Sequence, residues 1–337
     1  RISDSEVVTP SYVANELVSF LPSDKIDGKT IFLDIASKQG ELAIALFEKY
    51  SNVRGVKEHI YSLTTSPVTY ELTRKMYEML GLPVDNVIKG YVSADFISGN
   101  GKLRQEINGI HPSVIIGGPP FNTNDGGGRG DSASALYHRY MQVAKTYNPE
   151  YISMYMKAVW YSGGKGQGLN EFRREMLEDT RISIFSDYPD PKVCHIDGIS
   201  LRGGVCAFLW DAVHNGKCKF ISHINEKVYE STRFLKTDGE GILIRYSQGL
   251  GILRKVKEKR EDVFSDCVSR RDPFGLGDVF DTYMPKPTSE CTIKLYCVKK
   301  RIGLWRRRVP GRTHCHIRSL VRQSYLNPIQ SVRTACL

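Results

Sequence analysis

Apolar positions fall into two rhythms along the chain. Residues 13, 17 and 21 are Val, Leu and Leu at four-residue spacing behind Thr9-Pro10, which predicts a short opening helix with a cap and a proline in its first turn. "IFLD" (31 to 34) then reads as a strand feeding a loop at Gly40, and "LAIALFEKY" (42 to 50) as the helix that follows. The unit repeats with "HIYSL" (59 to 63), a cap at Ser66-Pro67, and a helix presenting Val68, Leu72, Met76 and Leu80 before Gly81. "NVIKGY" (86 to 91) predicts a third strand, closed by Asp95-Phe96.

"SVIIGG" (113 to 118) is an apolar run expected of a strand covered on both faces. A Gly-rich loop, "NDGGGRGDS" (124 to 132), and the helix "ALYHRYMQVAKTY" (135 to 147) come next. "YISMYM" (151 to 156) and "ISIFSDY" (182 to 188) predict two further strands around the helix "NEFRREMLED" (170 to 179). "VCAFLWD" (205 to 211) and "KCKFISHI" (217 to 224) are close enough to predict an antiparallel pair. This alternation predicts a doubly wound α/β sheet ending in a hairpin. Regular alternation stops near residue 230, and the loop-rich "SRRDPFGLGD" (269 to 278) suits a second, smaller region.

In such a sheet, ligands bind outside the carboxyl ends of the strands. Asp34, Asp95 and Gly117 to Phe121 all follow predicted strands, and Gly40 would let a cofactor approach the backbone. Pro119 and Pro120 fix two successive φ angles and remove two donors, which makes "IIGGPPFN" (115 to 122) a rigid corner crowned by Phe121. Two readings of that corner stand side by side. It is either a flat slot for a planar base bearing an exocyclic amine, with Phe121 stacked on the ring, or a Pro-rich turn packing Phe121 into the core.

The order of motifs resembles the adenine-N6 DNA methyltransferases of restriction-modification systems, in the gamma-type group whose cofactor motifs precede the catalytic motif. The resemblance spans roughly residues 5 to 303. "EVVTPSYVANEL" (6 to 17), with Thr9 and Pro10, looks like the segment lying along S-adenosylmethionine. "FLDIASKQGELA" (32 to 43), with Asp34, Ala36 and Gly40, looks like the first cofactor motif, and "SADF" (93 to 96), with Asp95 and Phe96, like the motif that reaches the cofactor's adenine. "GGPPFN" (117 to 122) takes the place of the family's catalytic Asn-Pro-Pro-Phe, and residues 151 to 182 and 201 to 211 resemble the blocks around the target-base pocket. "RRDPFGL" (270 to 276) looks like the start of a recognition domain.

The resemblance implies a seven-stranded S-adenosylmethionine-dependent methyltransferase sheet over residues 1–229. A truncated target-recognition region would follow over 230–303, and a basic tail over 304–337. It implies methyl transfer from S-adenosylmethionine to an adenine flipped out of double-stranded DNA, without metal. The catalytic positions would be Gly118, Pro119, Pro120 and Phe121, and the partner a restriction endonuclease or specificity subunit. Methyltransferases acting on RNA or protein also use a Pro-Pro-aromatic corner, and a non-catalytic DNA-binding homologue is the third reading.

Four departures bear on this. Gly118 stands where the family has Asn or Asp, so the side-chain acceptor for the amine is missing and weak or absent transfer is expected. Lys38 in "DIASKQG" occupies a place where small residues normally admit the cofactor. No acid follows "IYSLTTSP", where a ribose carboxylate is expected, and "MKAVW" (156 to 160) lacks an expected proline.

Charge changes the picture only at one end. Of 47 Lys and Arg, eleven lie from Cys291 to Leu337, a stretch with no Asp or Glu; the other 36 face all 37 acidic residues, so residues 1 to 290 are nearly neutral. That tail is either a DNA-binding arm or an out-of-frame replacement of the family's continuing sequence. Arg1 in place of Met points to a fragment or processed chain. With 41% hydrophobic residues, no apolar run of spanning length and no signal peptide at the start, a cytoplasmic protein with no membrane partner is expected. Eight cysteines without a CxxC pair predict reduced thiols, and His314-Cys315-His316 is too crowded to converge on one ion.

Overall fold

A computed structural model of the chain describes residues 8–121, 135–162, 168–190, 192, 203–225, 227–237, 241–259, 291–296 and 303–307. Its elements run α1 (Ser11–Ser19), β1 (Phe32–Ser37), α2 (Glu41–Tyr50), β2 (Ile60–Thr64), α3 (Pro67–Leu80), α4 (Ser93–Ser98), α5 (Gly101–Ile110), β3 (Val114–Gly117), α6 (Tyr137–Lys145) and β4 (Tyr151–Lys157). Then come α7 (Leu169–Glu178), β5 (Ile182–Tyr188), β6 (Val205–Asp211), β7 (Cys218–Ile224), β8 (Lys227–Arg233), α8 (Gly249–Glu258), β9 (Cys291–Tyr296) and β10 (Gly303–Arg307). Two compact units divide the chain at Lys255 and Val256, and β8 lies within the first. In the second unit, β9 and β10 pair antiparallel.

The first unit is built on an eight-stranded sheet in the order β2-β1-β3-β4-β6-β5-β7-β8. β1 pairs parallel with β2 on one side and β3 on the other, so the chain changes direction across the sheet between β1 and β3. Alternate residues of the inner strands feed two cores. Phe32, Val114 and Ile116 pack with α1 and α2 residues such as Leu17, Leu42 and Leu46. Leu33, Ile115 and Ile152 pack with α5 to α7 residues such as Ile107, Met141 and Phe172. A sheet covered on both faces explains its nearly unbroken apolar strands.

Three expectations need correction. β6 and β7 do not pair: β5 lies between them, antiparallel to β6 and parallel to β7. "NVIKGY" forms no strand. Val87 makes a single parallel bridge to Ser62, Ile88 N–H donates to Ser62 O at 2.9 Å, and Gly90 at φ 85° then turns the chain. The cap of α3 is as expected, Ser66 Oγ accepting from Thr69 N–H with Pro67 behind it and Gly81 left-handed at the end, but the helix presents another face. Thr69, Thr73 and Tyr77 are buried, while Val68 is 66% exposed. Hydrogen bonds select that face, because Ser37 and Thr73 hydroxyls pair at 3.1 Å and Ser62 and Tyr77 at 2.9 Å inside the layer.

Candidate functional site

The carboxyl ends of β1 and β3 meet at the point where strand order reverses. All six residues of β1 are buried, so Asp34 carries its carboxyl into the interior. Oδ1 accepts from the Ala36 amide at 3.0 Å, while Oδ2 is buried without a hydrogen-bond partner among the described residues. The nearby Ser37 hydroxyl pairs with that of Thr73, accepts from the Gly40 amide, and pulls the Asp34 carboxyl down. Burial, and next the charge of Glu41, push the Asp34 carboxyl up to about 7 against the pull of the Ala36 amide and the Lys38 ammonium.

Lys38 is fully buried, at 0% exposure. Its Nζ donates to Ala36 O at 3.0 Å and to Gly118 O at 2.8 Å, tying the end of β1 to the corner after β3. Glu41, the first residue of α2, is its counterpart of opposite sign. Its Oε2 accepts from the amides of Lys38 at 3.2 Å and Gln39 at 2.8 Å, and its Oε1 from Thr9 at 3.4 Å. An acid at a helix start also meets the positive end of the helix dipole. Gly40 sits at φ 79°, and a Cβ there would come within 3.1 Å of the Met76 side chain, so its freedom is spent on the turn into α2 and the packing of α3.

The corner is buried from Gly117 to Phe121. A Cβ on Gly118 would lie 2.5 Å from Thr9 Oγ1, so the Thr9 hydroxyl stands where an Asn or Asp stem would begin. Thr9 does not cap α1 as expected: Pro10 is the N-cap residue, with no side-chain cap bond. Phe121 is 4% exposed, and its ring lies 6.0 Å from that of Tyr155 at 54°. Pro119 and Pro120 are enclosed with it.

Hydrogen bonds and close approaches thus unite Thr9, Asp34, Ala36, Gly40 and Gly118, with Lys38 and Glu41 between them. Asp95 and Phe96 stand apart from this set. Asp95 Oδ2 accepts from the Val92 amide at 2.8 Å and caps α4, and Phe96 stacks on Tyr140 at 6.0 Å and Tyr147 at 5.5 Å. Asn122, the Gly-rich loop, "RRDPFGL", most of the basic tail and His314-Cys315-His316 lie outside the described residues.

Two residues of consequence escaped the sequence. Glu41 was visible only as an acid at a helix start. Arg245 gave no signal, yet its Nε and Nη2 donate to both oxygens of Asp187, at 2.9 and 2.7 Å. Tyr161 O–H donates to the same carboxylate at 2.8 Å, and Arg245 Nη1 donates to Gly203 O at 2.7 Å. This cluster closes the ends of β4 and β5.

The sheet and its strand-order switch define a Rossmann-like fold. Residues 100–193, which carry β3, the corner, β4 and β5, match the family model described as Eco57I restriction-modification methylase. Over 115 residues the chain is 28% identical to an uncharacterized adenine-specific methylase of Mycoplasma pneumoniae, covering 34% of this chain and 27% of that protein. A chain solved in a study of the assembly and conformational transition of the type I restriction-modification system superposes over 77% of this chain and 64% of its own, at 13% identity and TM-score 0.50. The type I restriction-modification methyltransferase subunit of Streptococcus thermophilus aligns over 78% and 55%, at 13% identity and TM-score 0.47. The chain therefore spans about a quarter of the curated relative and under two thirds of either solved chain. Among the described residues no helix is long and apolar enough to cross a membrane.

Proposed function

We propose that this chain is the S-adenosylmethionine-binding part of an adenine-N6 DNA methyltransferase of restriction-modification type, with methyl transfer weakened at Gly118. One observation carries the reading: a Gly-Pro-Pro-Phe corner stands at the strand-order switch, against a β1 loop whose polar groups suit an amino-acid head. The fit is specific. Ala36 and Gly118 carbonyls already hold an ammonium, the Lys38 and Gln39 amides already hold a carboxylate, and Asp34 Oδ2 is an unpartnered acceptor. S-adenosylmethionine would supply the electrophilic methyl group on its sulfonium.

Asp34, Ala36 and Gly40 would hold the donor's head and ribose side, with Thr9 and Pro10 along it and Asp95 with Phe96 toward its adenine. Pro119 and Pro120 would fix the carbonyls that accept from the target amine, and Phe121 would have to turn from Tyr155 to meet the base. A restriction endonuclease or specificity subunit is the proposed partner, double-stranded DNA the substrate, and the cytoplasm the location. Residues 230–303 would begin the recognition region, and the basic tail either contacts phosphates or is out of frame. Restoring the side-chain acceptor is the direct test. The 2.5 Å approach to Thr9 means that Gly118→Asn alone overpacks the corner, at about 1–3 kcal/mol. Paired with Thr9→Ala it is expected to raise tritium-methyl incorporation into DNA by on the order of a hundredfold. No gain in the pair overturns the assignment of position 118, and incorporation into RNA or protein instead of DNA overturns the substrate.

The absence of any side-chain acceptor at Gly118 favours a second reading, in which the fold serves as a DNA-binding or specificity component without transfer. Donor binding by calorimetry separates the two, since the second requires none.

A further inference from the structure

We propose that Lys38 and Glu41 form an internal surrogate for the amino-acid head of the methyl donor, so that this chain's own charges keep that subsite filled. The inference rests on the methyl-donor reading above and adds to it the state of one subsite.

An α-amino acid head asks two things of a protein: acceptors for its ammonium and donors for its carboxylate. Both sets are present at the switch point and both are taken from within. The ammonium of Lys38 bridges Ala36 O and Gly118 O, two carbonyls that are neighbours only because β1 and β3 pair. The carboxylate of Glu41 takes the amides of Lys38, Gln39 and Thr9. The two charges belong to residues three apart in one turn, so they arrive as a unit, as the two ends of a zwitterion do. Asp34 sits beside them, and among the described residues its Oδ2 has no hydrogen-bond partner.

The arrangement can also be displaced. Among the described residues Lys38 is held by two neutral carbonyls rather than by a direct ion pair, and Gln39 next to it is exposed, so the loop borders water. A donor would enter by expelling that ammonium, losing in the exchange most of what its own head gains. The amino-acid head should therefore add little affinity in the natural chain and much more once Lys38 is shortened.

Calorimetry with S-adenosylhomocysteine and with 5′-methylthioadenosine, which lacks the head, tests this on the natural chain and on Lys38→Ala. The natural chain is expected to bind the two within about threefold, whereas Lys38→Ala binds S-adenosylhomocysteine about tenfold tighter or more and leaves 5′-methylthioadenosine unchanged. If the natural chain already prefers S-adenosylhomocysteine by about tenfold, or Lys38→Ala binds 5′-methylthioadenosine without gaining for S-adenosylhomocysteine, the surrogate is overturned and the donor reading stands. Binding of neither nucleoside to either protein overturns the donor reading and the surrogate with it. Should Lys38→Ala not fold, the comparison of the two ligands on the natural chain decides alone.

Discussion

Two carboxylates are buried toward the same edge of the sheet, Asp34 in β1 and Asp187 in β5, and the fold treats them differently. Asp187 meets both nitrogens of an Arg245 fork and the hydroxyl of Tyr161, partners drawn from 58 and 26 residues away. Asp34 takes an amide two residues along and the nearby Ser37 hydroxyl, and among the described residues its Oδ2 has no hydrogen-bond partner. The first arrangement is complete in itself and joins distant segments. The second leaves one oxygen open and is bordered mainly by groups of its own loop, which sets it apart from a clamp.

The largest effect should come from breaking the clamp. Arg245→Ala leaves the fully buried Asp187 carboxylate with Tyr161 alone, and removing one partner of a buried pair costs roughly 3–5 kcal/mol. Guanidinium unfolding should show this loss. In a double-mutant cycle the Asp187→Asn, Arg245→Ala pair should lose much less than the sum of the single changes. Additive losses would mean that the fork contributes packing rather than charge.

Asp34→Asn should act in the opposite direction, and only above a certain pH. The folded carboxyl is raised to about 7 from an ordinary 3.8, so the fold favours the protonated form. Its contribution is intact below 3.8, declines as pH rises toward about 7, and is spent above that. Asn mimics the protonated acid at every pH and keeps an oxygen for the Ala36 amide. The variant should match the natural chain near pH 4 and exceed it by roughly 2–4 kcal/mol near pH 8. Equal stability at both ends of that range would show that Asp34 is hydrated or paired.

The same contrast separates what the sequence reveals from what it hides. β1, α2, the Ser66-Pro67 cap, β3 and the Gly-Pro-Pro-Phe corner are written in local signals: an apolar run, a proline at a helix start, a glycine that must take positive φ. The position of β5 between β6 and β7 is not, because strand pairing is chosen by cores built from both halves of the chain, and 205 to 211 and 217 to 224 look like a hairpin on spacing alone. The buried face of α3 was hidden for another reason: Thr73 and Tyr77 are drawn inward by hydroxyl partners on the sheet, against the helix's own apolar stripe. At the site, Lys38 was visible as a departure from pattern, but that its ammonium reaches Gly118, 80 residues on, is a fact of tertiary placement. Arg245 had no local signature at all.

The smallest expected effect is also the most selective for the local arrangement. Glu41→Gln keeps one acceptor oxygen, which can serve the amides of Lys38 and Gln39 as Oε2 does now, and sets its NH2 group against Thr9 N–H, whose present bond of 3.4 Å is the longest of the three. Losing the charge at the start of α2 should cost about 0.3–1 kcal/mol. The more informative change lies next door. The charge of Glu41 is the largest influence after burial in raising Asp34, so neutralising it should lower the Asp34 midpoint from about 7 toward ordinary carboxylate values. Carbon-13 NMR of the Asp34 carboxyl across a pH series reads that midpoint directly. In Arg245→Ala the same resonance should stay where it is, because the clamp shares none of the groups that raise Asp34. A midpoint that moves in Arg245→Ala but not in Glu41→Gln would mean that the two buried carboxylates belong to one electrostatic network, and that the loop after β1 is not the self-contained cradle its hydrogen bonds describe.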